Sequence, residues 1–291
     1  MRRLYYSCGK LAMELNTEPY YIDSITGLDG INNKITTAKA MDQDGYMITG
    51  ESLEDRAITL SGCIRARSQE ELEIYRLKLI KLFNPKIEGT IIYEYGGIER
   101  KIEVKTESGP KFSKGGTWRV QKYIASFTAV DPFFNDLIQH KVQAALWKGA
   151  FQFPLVIPTP EGVIMGYKDP SLIVNIYNSG DVETGMLIVF RARGTLTNPS
   201  LFNVNTRESI KIVKGMVAGE VITINTNFLK KKVLSKLNGI ETNIMNYLDI
   251  ANDADTFLQL HMGDNLFRYD ADTGLDNLEV DIYYDNKYLG V

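Results

Sequence analysis

The sequence of 291 residues predicts a mainly β protein with two domains. Short segments in which apolar and polar residues alternate recur along the chain, and turns rich in Gly, Asn and Asp separate them. Only the segment Arg67–Pro85 has pronounced helical periodicity. The length is large for one compact domain and comfortable for two, and we place the boundary between residues 138 and 139.

The first half begins as a series of short strands. Residues 20–30 alternate between apolar and polar positions and end in Gly27-x-x-Gly30. After a turn, a further strand is predicted around Ile58, Leu60 and Ile64. The helical segment follows this strand directly, so the first half is predicted to contain a sheet with one helix.

The helix between Arg67 and Pro85 has clear start and stop signals. Ser68 is a good N-cap, and Glu71 stands where the partner of a capping box belongs. Pro85 ends the helix because proline disfavours helical geometry in the residue before it. One face is apolar, so the helix is expected to cover an open sheet or to plug the side of a small barrel; this face consists of Leu72, Tyr75, Leu79, Leu82 and Phe83.

Two glycine-rich turns follow the helix. Gly96-Gly97 separates two alternating runs, which predicts a hairpin with a two-residue turn. Lys114-Gly115-Gly116 precedes a long strand that ends at Asp131-Pro132. Because the apolar residues change phase within this strand, we predict a bulge near Gln121.

The second half is predicted to be an all-β sandwich. An extended segment containing Pro154, Pro158 and Pro160 comes first, and short apolar runs then follow one another at regular spacing. Turns rich in Gly, Asn and Asp separate these runs. Residues 241–249 fit either one short helix or an irregular crossover.

Composition argues against several classes of protein. The formal net charge of −3 is unlike that of a dedicated nucleic-acid binder, which usually has a basic face. Two cysteines, Cys8 and Cys63, are too few for a disulfide framework, so free thiols are expected. The N-terminus lacks the apolar core of a signal peptide, and no apolar run is long enough to cross a membrane. We therefore expect a soluble protein that folds in a cytoplasm and has no membrane partner.

No cluster of residues predicts catalysis or a metal site. His140 and His261 are the only histidines that could serve as a base, and no Gly-x-Ser-x-Gly motif accompanies them. Zinc needs Cys and His at short spacing, which neither cysteine has. Asp270, Asp272 and Asp276 have a spacing that suggests calcium, but the glycine and the final glutamate of an EF-hand loop are out of register. We predict no catalytic, cofactor-binding or metal-binding residue.

Three further features have a structural interpretation and a functional alternative. Gly96-Gly97 and Gly115-Gly116 do not open helices, so hairpin turns are favoured over phosphate loops. Lys230–Lys232 could contact a phosphate or an acidic partner, or could protect a strand edge from mispairing. Trp118 and Trp147 are each isolated in the sequence, although either could form a sugar-binding platform.

Eight short segments, taken in order, resemble the distal tail protein family of long-tailed bacteriophages, which also occurs in prophages and phage-tail-like particles. In the first half these segments are ITGLDG (25–30), RAITLSG (56–62), LFNP (82–85) and FTAVDPF (127–133). In the second half they are YNSGDVETG (177–185), GEVITINT (219–226), LHMGDN (260–265) and YLGV (288–291).

The resemblance implies a split β-barrel with one α-helix and a hairpin arm for residues 1–138, and a galectin-like β-sandwich for residues 139–291. It implies a structural protein of the virion tail, assembled in the bacterial host cytoplasm. The chain would form a ring hub, expected to be a homohexamer, which joins the tail tube protein to the tail-tip or baseplate hub and receptor-binding proteins. DNA would only pass through the lumen of the ring.

A galectin-like sandwich raises an alternative function, which is a carbohydrate-binding baseplate module that recognises host cell-wall glycan. Sugar-binding galectins carry a His-x-Asn-Pro-Arg motif that this chain lacks, and His261, Asn265 and Arg268 stand at different spacings. We therefore predict that the sandwich docks proteins. A cell-wall glycosidase is a third hypothesis, which only generic carboxylates support.

Overall fold

The chain folds into two compact units. The computed structural model describes residues 3–42, 44–113, 119–144, 147–149, 166–168, 173–250 and 257–291. Unit 1 comprises Met1–Leu137 together with Lys287–Val291, and unit 2 comprises Ile138–Asn286. The predicted turn at Lys114-Gly115-Gly116 and the predicted proline-rich segment lie outside the described residues. No helix in the described ranges is long and apolar enough to span a membrane.

Unit 1 is mainly β, as the sequence predicts. Nine of its strands form one antiparallel sheet, in which seven have the order β2-β1-β7-β8-β9-β6-β3, β10 pairs with β8, and β24 (Lys287–Tyr288) pairs with β10. The two edge strands, β2 and β3, are consecutive in the chain, and Thr17 bridges to Tyr20 between them. The strands of unit 1 up to residue 137 are β1 (Arg3–Cys8), β2 (Leu11–Leu15), β3 (Tyr20–Thr26), β4 (Asn33–Ala38), β5 (Met47–Leu53), β6 (Arg56–Arg65), β7 (Glu88–Tyr95), β8 (Ile98–Phe112), β9 (Val120–Ala129) and β10 (Phe134–Asp136).

The predicted helix, α1, runs from Gln69 to Leu82. Its N-cap is Ser68, whose Oγ accepts a hydrogen bond from the N–H of Glu71 at 3.1 Å. The Glu71 carboxylate accepts the N–H of Arg67 at 2.9 Å, so it returns to the residue before the cap. The Ser68 hydroxyl thereby satisfies one orphan donor at the start of α1, which confirms the helix and its first boundary.

The apolar face of α1 packs into the core of unit 1. Phe83, which caps the C-terminal end of α1, places its ring centroid 5.0 Å from that of Tyr6 and 5.3 Å from that of Phe127. Tyr75 is half-buried, with its ring centroid 5.9 Å from that of Tyr20. The other residues of the face are buried, namely Leu72, Leu79 and Leu82. The helix thus covers the sheet, as its amphipathic pattern predicts.

The irregularity in the long strands lies on β8, so the bulge predicted near Gln121 is wrong. Strand β9 pairs with β6 in unbroken register along Val120–Ala129. The register between β8 and β9 instead shifts twice between Thr106 and Lys111. Gly109-Pro110 lies within this stretch, and proline has no N–H to donate to the neighbouring strand.

Gly89 of β7 leaves room for a buried tyrosine. A Cβ at residue 89 would overlap the ring and hydroxyl of Tyr6, and that hydroxyl lies 3.1 Å from the hydroxyl of Thr106. We expect Gly89→Ala to lower the free energy of unfolding by about 1–3 kcal/mol, measured by urea denaturation. Gly109→Ala is the control, because a Cβ there would meet only the carbonyl oxygen of Phe83 at 3.8 Å. Equal losses in both variants would contradict the packing argument.

Unit 2 is a β-sandwich, as the spacing of its strands predicts. One sheet has the order β11-β23-β15-β19-β20-β21 and the other β14-β22-β16-β17, with β18 also on β16, while β12 pairs with β13. The strands are β11 (His140–Gln143), β12 (Trp147–Gly149), β13 (Gly166–Lys168), β14 (Ile173–Asn178), β15 (Met186–Ala192), β16 (Leu196–Asn203), β17 (Ser209–Lys211), β18 (Gly215–Met216), β19 (Val221–Asn225), β20 (Lys232–Leu237), β21 (Ile240–Asn243), β22 (Gly263–Thr273) and β23 (Leu278–Tyr284).

The core of unit 2 lies between its two sheets. Alternate residues of β15 and β23 from one sheet, and of β16 and β22 from the other, meet in a single buried cluster. The crossover predicted at residues 241–249 is irregular, because β21 is followed by only one 3₁₀ turn, Met245–Tyr247.

Glu220 is a buried carboxylate in unit 2. Burial raises its pKa, but hydrogen bonds from the ammonium of Lys214, the hydroxyl of Ser235 and the N–H of Val217 outweigh burial and lower the pKa below the ordinary value. Because the pKa is lower in the folded state, Glu220 stabilises the fold fully above the unfolded-state pKa of about 4.3. This stabilisation is lost as the pH falls through the folded-state pKa.

Glu220→Gln is expected to lower the free energy of unfolding by about 1–3 kcal/mol at about pH 7, because Lys214 loses its buried partner. The variant should also lose less stability than the wild type between about pH 5 and pH 3. Urea denaturation at the three pH values, about 7, 5 and 3, measures both effects. Glu241→Gln, at an exposed site on β21, should change stability by no more than about 0.5 kcal/mol. An unchanged pH dependence in Glu220→Gln would refute the assignment.

The last described residues return to unit 1. Lys287–Tyr288 forms β24, which pairs with β10, and the N–H of Val291 donates to the carbonyl oxygen of Leu28 at 3.2 Å.

Arg56 lies at the start of β6 and is buried. Its guanidinium is the common hydrogen-bond donor to four backbone carbonyl oxygens. It donates at 2.6–2.8 Å to the carbonyl oxygens of Gly27, Asp29, Pro132 and Leu289.

Candidate assembly surfaces

Strands β4 and β5 form a hairpin that pairs with no other strand of the described chain. Every residue of both strands is exposed in the single chain. A two-stranded hairpin is at best marginally stable in water without a surface to pack on. The hairpin therefore has the properties of an arm that is completed by contact with another molecule.

Two exposed isoleucines share one face of this arm, on which Glu51 stands opposite Ile35. Ile35 and Thr37 alternate onto the same face of β4, and Ile48 of β5 stands opposite Thr37, so the two isoleucines share a face. Ile35 is 52% exposed and Ile48 is 61% exposed. Four further exposed apolar residues belong to the same hairpin, namely Met41, Tyr46, Met47 and Leu53. Apolar residues concentrated on an exposed element mark a surface that binds another protein.

The two histidines that could act as bases lie in structural settings. His140 stacks on Tyr284 with ring centroids 5.2 Å apart, and its Nε2 lies 3.2 Å from Nδ2 of Asn286. His261 is exposed, and its Nδ1 lies 3.5 Å from the Glu183 carboxylate.

Cys8 and Cys63 are both buried and free, so the prediction of free thiols is confirmed. Two of the three carboxylates with a calcium-like spacing bind donors of the chain itself, and Asp270 accepts the N–H of Ala271 at 2.8 Å. Asp272 accepts hydrogen bonds from Asn198 and Lys211, which lower its pKa. Within the ranges that the structure describes, no group of three or more His, Cys, Asp or Glu residues could hold a metal ion.

The lysine run, the two tryptophans and the Gly96-Gly97 pair were the other features with a functional alternative. Lys230–Lys232 lies at the turn between β19 and β20, where Lys232 opens β20. Trp118 and the side chain of Trp147 lie outside the described part of the chain. Gly96-Gly97 forms the turn between β7 and β8, with positive φ at both glycines, as the hairpin prediction requires.

The residues that were compared with the galectin motif do not form an open site. Asn265 is buried, and its Nδ2 donates to the carbonyl oxygens of His261 and Gly263 at 2.7 and 3.0 Å. Its Oδ1 accepts the N–H of His261 at 3.0 Å. The guanidinium carbon of Arg268 lies 5.6 Å from the ring centroid of Phe202. The Asn265 amide is therefore engaged in holding the turn that precedes β22.

Family models match both units of the chain. Residues 13–128 match the family described as phage tail protein RIFT-related domain, and residues 179–288 match the siphovirus-type tail component, C-terminal domain. The chain belongs to the distal tail protein family of siphovirus-type phages. It is a structural component of the phage tail and baseplate, and its place is the virion tail.

Solved structures share the fold over the whole chain. SPP1 Dit, described as a paradigm of the hub adsorption apparatus in phages that infect Gram-positive bacteria, is 15% identical with a TM-score of 0.69, over 98% of this chain and 99% of that one. A protein of the phage p2 baseplate, in its activated conformation with Ca, is 11% identical with a TM-score of 0.57, over 100% of both chains. No curated protein sequence matched this chain.

Reasoning from the residues alone missed the arm, although the family resemblance implied one. The pattern after residue 30 predicts only a turn before the strand around Ile58, whereas the structure has β4 and β5 in this stretch. The available signal was Gly45 between two runs of β-branched and apolar residues, 33–38 and 47–53. The apolar residues of the arm do not alternate regularly with polar residues, because neither face of the arm packs against the core of its own chain.

Proposed function

We propose that this chain forms a homohexameric ring hub that joins the tail tube to the tail-tip or baseplate proteins. The observation that carries this proposal is the arm β4–β5, whose residues are all exposed in the single chain. In a ring, each arm would lie on the next copy, which would remove Ile35 and Ile48 from water. The likeness to SPP1 Dit over nearly the full length of both chains supports the same assignment.

An arm suits the contacts that a ring requires. A ring of identical copies uses head-to-tail interfaces, in which one surface of each copy meets a different surface of the next. We propose that residues 1–138 form the ring as a split barrel, whose edge strands β2 and β3 are brought close by a short connection. Residues 139–286 would form a galectin-like sandwich on the outside of the ring, while residues 287–291, which the sequence assigned to the sandwich, belong to unit 1.

The proposed partners are other copies of the chain and other tail proteins. The tail tube protein would bind one side of the ring, and the tail-tip or baseplate hub and the receptor-binding proteins would bind the other. DNA would only pass through the lumen, and a net charge of −3 supports passage without binding, because phosphate binding needs a basic surface. We propose a purely structural role, without catalysis, cofactor, metal or membrane contact.

The carbohydrate-binding alternative has no observation in its favour. Asn265 has its amide engaged within the chain, and Arg268 is not brought together with His261 by any described contact. The glycosidase hypothesis likewise gains no pair of carboxylates from the described contacts.

Light scattering of the purified chain, alone and with the tail tube and tail-tip proteins, tests the ring. A particle mass of six copies, formed alone or on addition of either partner, is expected. A chain that stays monomeric with both partners would contradict the ring. Isothermal titration with host wall polysaccharide tests the alternative, and we expect no heat of binding.

A further inference from the structure

The turn between β19 and β20 presents two apolar side chains at one end of unit 2. Phe228 is 75% exposed and Leu229 is 77% exposed. Lys230–Lys232 follows directly and is exposed as well. Folding removes little of either side chain from water, so the stability of the single chain does not explain these apolar residues at the turn.

Leu229 also has an unfavourable backbone conformation. Its φ is +63°, and the N–H of Lys230 donates to the carbonyl oxygen of Asn227 at 3.1 Å, which closes a four-residue turn. Leu229 is the third residue of this turn, where a positive φ normally selects Gly or Asn because a Cβ is strained there. A leucine at a strained and exposed position points to a role outside the fold of the single chain.

The backbone of the turn is held from several sides. Oδ1 of Asn225 accepts the N–H and an Nδ2 hydrogen of Asn227 at 2.9 and 3.0 Å. Nε2 of Gln259 donates to the carbonyl oxygen of Thr226 at 3.0 Å. The ammonium of Lys231 lies 5.0 Å from the ring centre of Phe257. A turn fixed in this way loses little conformational entropy when it binds.

We propose that this turn, residues 227–232, docks into an apolar pocket bordered by carboxylates on a different protein of the virion tail. Phe228 and Leu229 require a pocket that removes them from water, and the exposed ammonium groups of Lys231 and Lys232 favour acidic groups around its rim. The chain is a tail and baseplate component, so other tail proteins are the macromolecules that its exposed surfaces meet. The proposal rests on that family membership and is independent of the ring.

Photo-crosslinking in assembled tails tests the proposal. A photoreactive phenylalanine analogue replaces Phe228, and in a control it replaces Ile240, which is 71% exposed at the next hairpin turn of the same sheet. We expect an adduct from residue 228 with another tail protein, on a peptide that contains both apolar residues and Asp or Glu. An adduct with a second copy of this chain or with phospholipid, or a yield no higher than that of the control, would overturn the proposal.

Leu229→Gly separates docking from folding. Glycine relieves the positive φ, so the melting temperature of the purified variant should not fall. Its affinity for the crosslinked partner should fall by about tenfold or more, because the apolar contact is lost. Retained affinity would overturn the docking role, and a clear fall in melting temperature would show that Leu229 serves the fold instead.

Discussion

Replacing Arg56 with methionine is expected to lower the free energy of unfolding of unit 1 by about 3–5 kcal/mol. The Arg56 guanidinium is buried and is the common donor to four backbone carbonyl oxygens. Methionine keeps much of the volume but donates no hydrogen bond, so these acceptors lose a charged partner away from water. Hydrogen exchange of the amides in β6 and β9 measures the loss within unit 1.

Arg65→Met is the matched control because Arg65 lies on the same strand, β6. Arg65 is exposed, and its guanidinium stacks over the ring of Tyr21 at 4.6 Å. An exposed contact of this kind contributes only about 0.5–1 kcal/mol. Equal losses for both variants would show that the four-carbonyl network of Arg56 adds nothing to stability.

The double variant Ile35→Ser/Ile48→Ser is expected to abolish ring formation and leave the single chain folded. Both side chains lie on the same face of the arm, which in the proposed ring packs on the next copy. Burying the two side chains contributes about 1.5–3 kcal/mol each, and this loss recurs at every interface of the ring. Light scattering under conditions in which the wild type forms rings measures the result.

Val130→Ser is the control for the arm variant, since Val130 is an exposed apolar residue of unit 1 outside the hairpin. It should assemble as the wild type does. The stability of the double variant should change by no more than about 0.5 kcal/mol per site, because exposed substitutions have small effects. Rings that form as readily in the double variant would remove the arm from the interface.

Local signals predicted α1 and the Gly96-Gly97 hairpin well. The cap at Ser68, the stop at Pro85 and the apolar face each act over a few residues, so the sequence pattern contains them directly. The two-residue turn is equally local, because only its positive φ values are needed to define it. These elements fold as predicted because neighbouring residues decide them.

Features that depend on distant residues were not predicted. The register shift on β8 depends on the pairing of β8 with β9. The sequence pattern predicts the irregularity near Gln121, which lies on β9. Arg56 reads as an ordinary polar residue at the start of a strand, and only the tertiary fold brings Leu289 and Pro132 to its guanidinium. Non-local contacts of this kind leave no periodic trace in the sequence.

The candidate surfaces were predictable only in part. The family resemblance implied a hairpin arm, but the residues that form it, 33–53, were not recognised as strands. Lys230–Lys232 stood out as a charge run, whereas the exposure of Phe228 and Leu229 beside it became visible only in the structure. An exposed apolar residue and a buried one look alike in a sequence, and for this reason an interface is harder to predict than a core.

Electron cryomicroscopy of the distal end of the assembled tail tests the ring most directly. Six copies of this chain are expected around an open lumen at the end of the tube, with each arm β4–β5 lying against the neighbouring copy. A map with fewer copies, with no lumen through them, or with the arms in solvent would contradict the proposed hub.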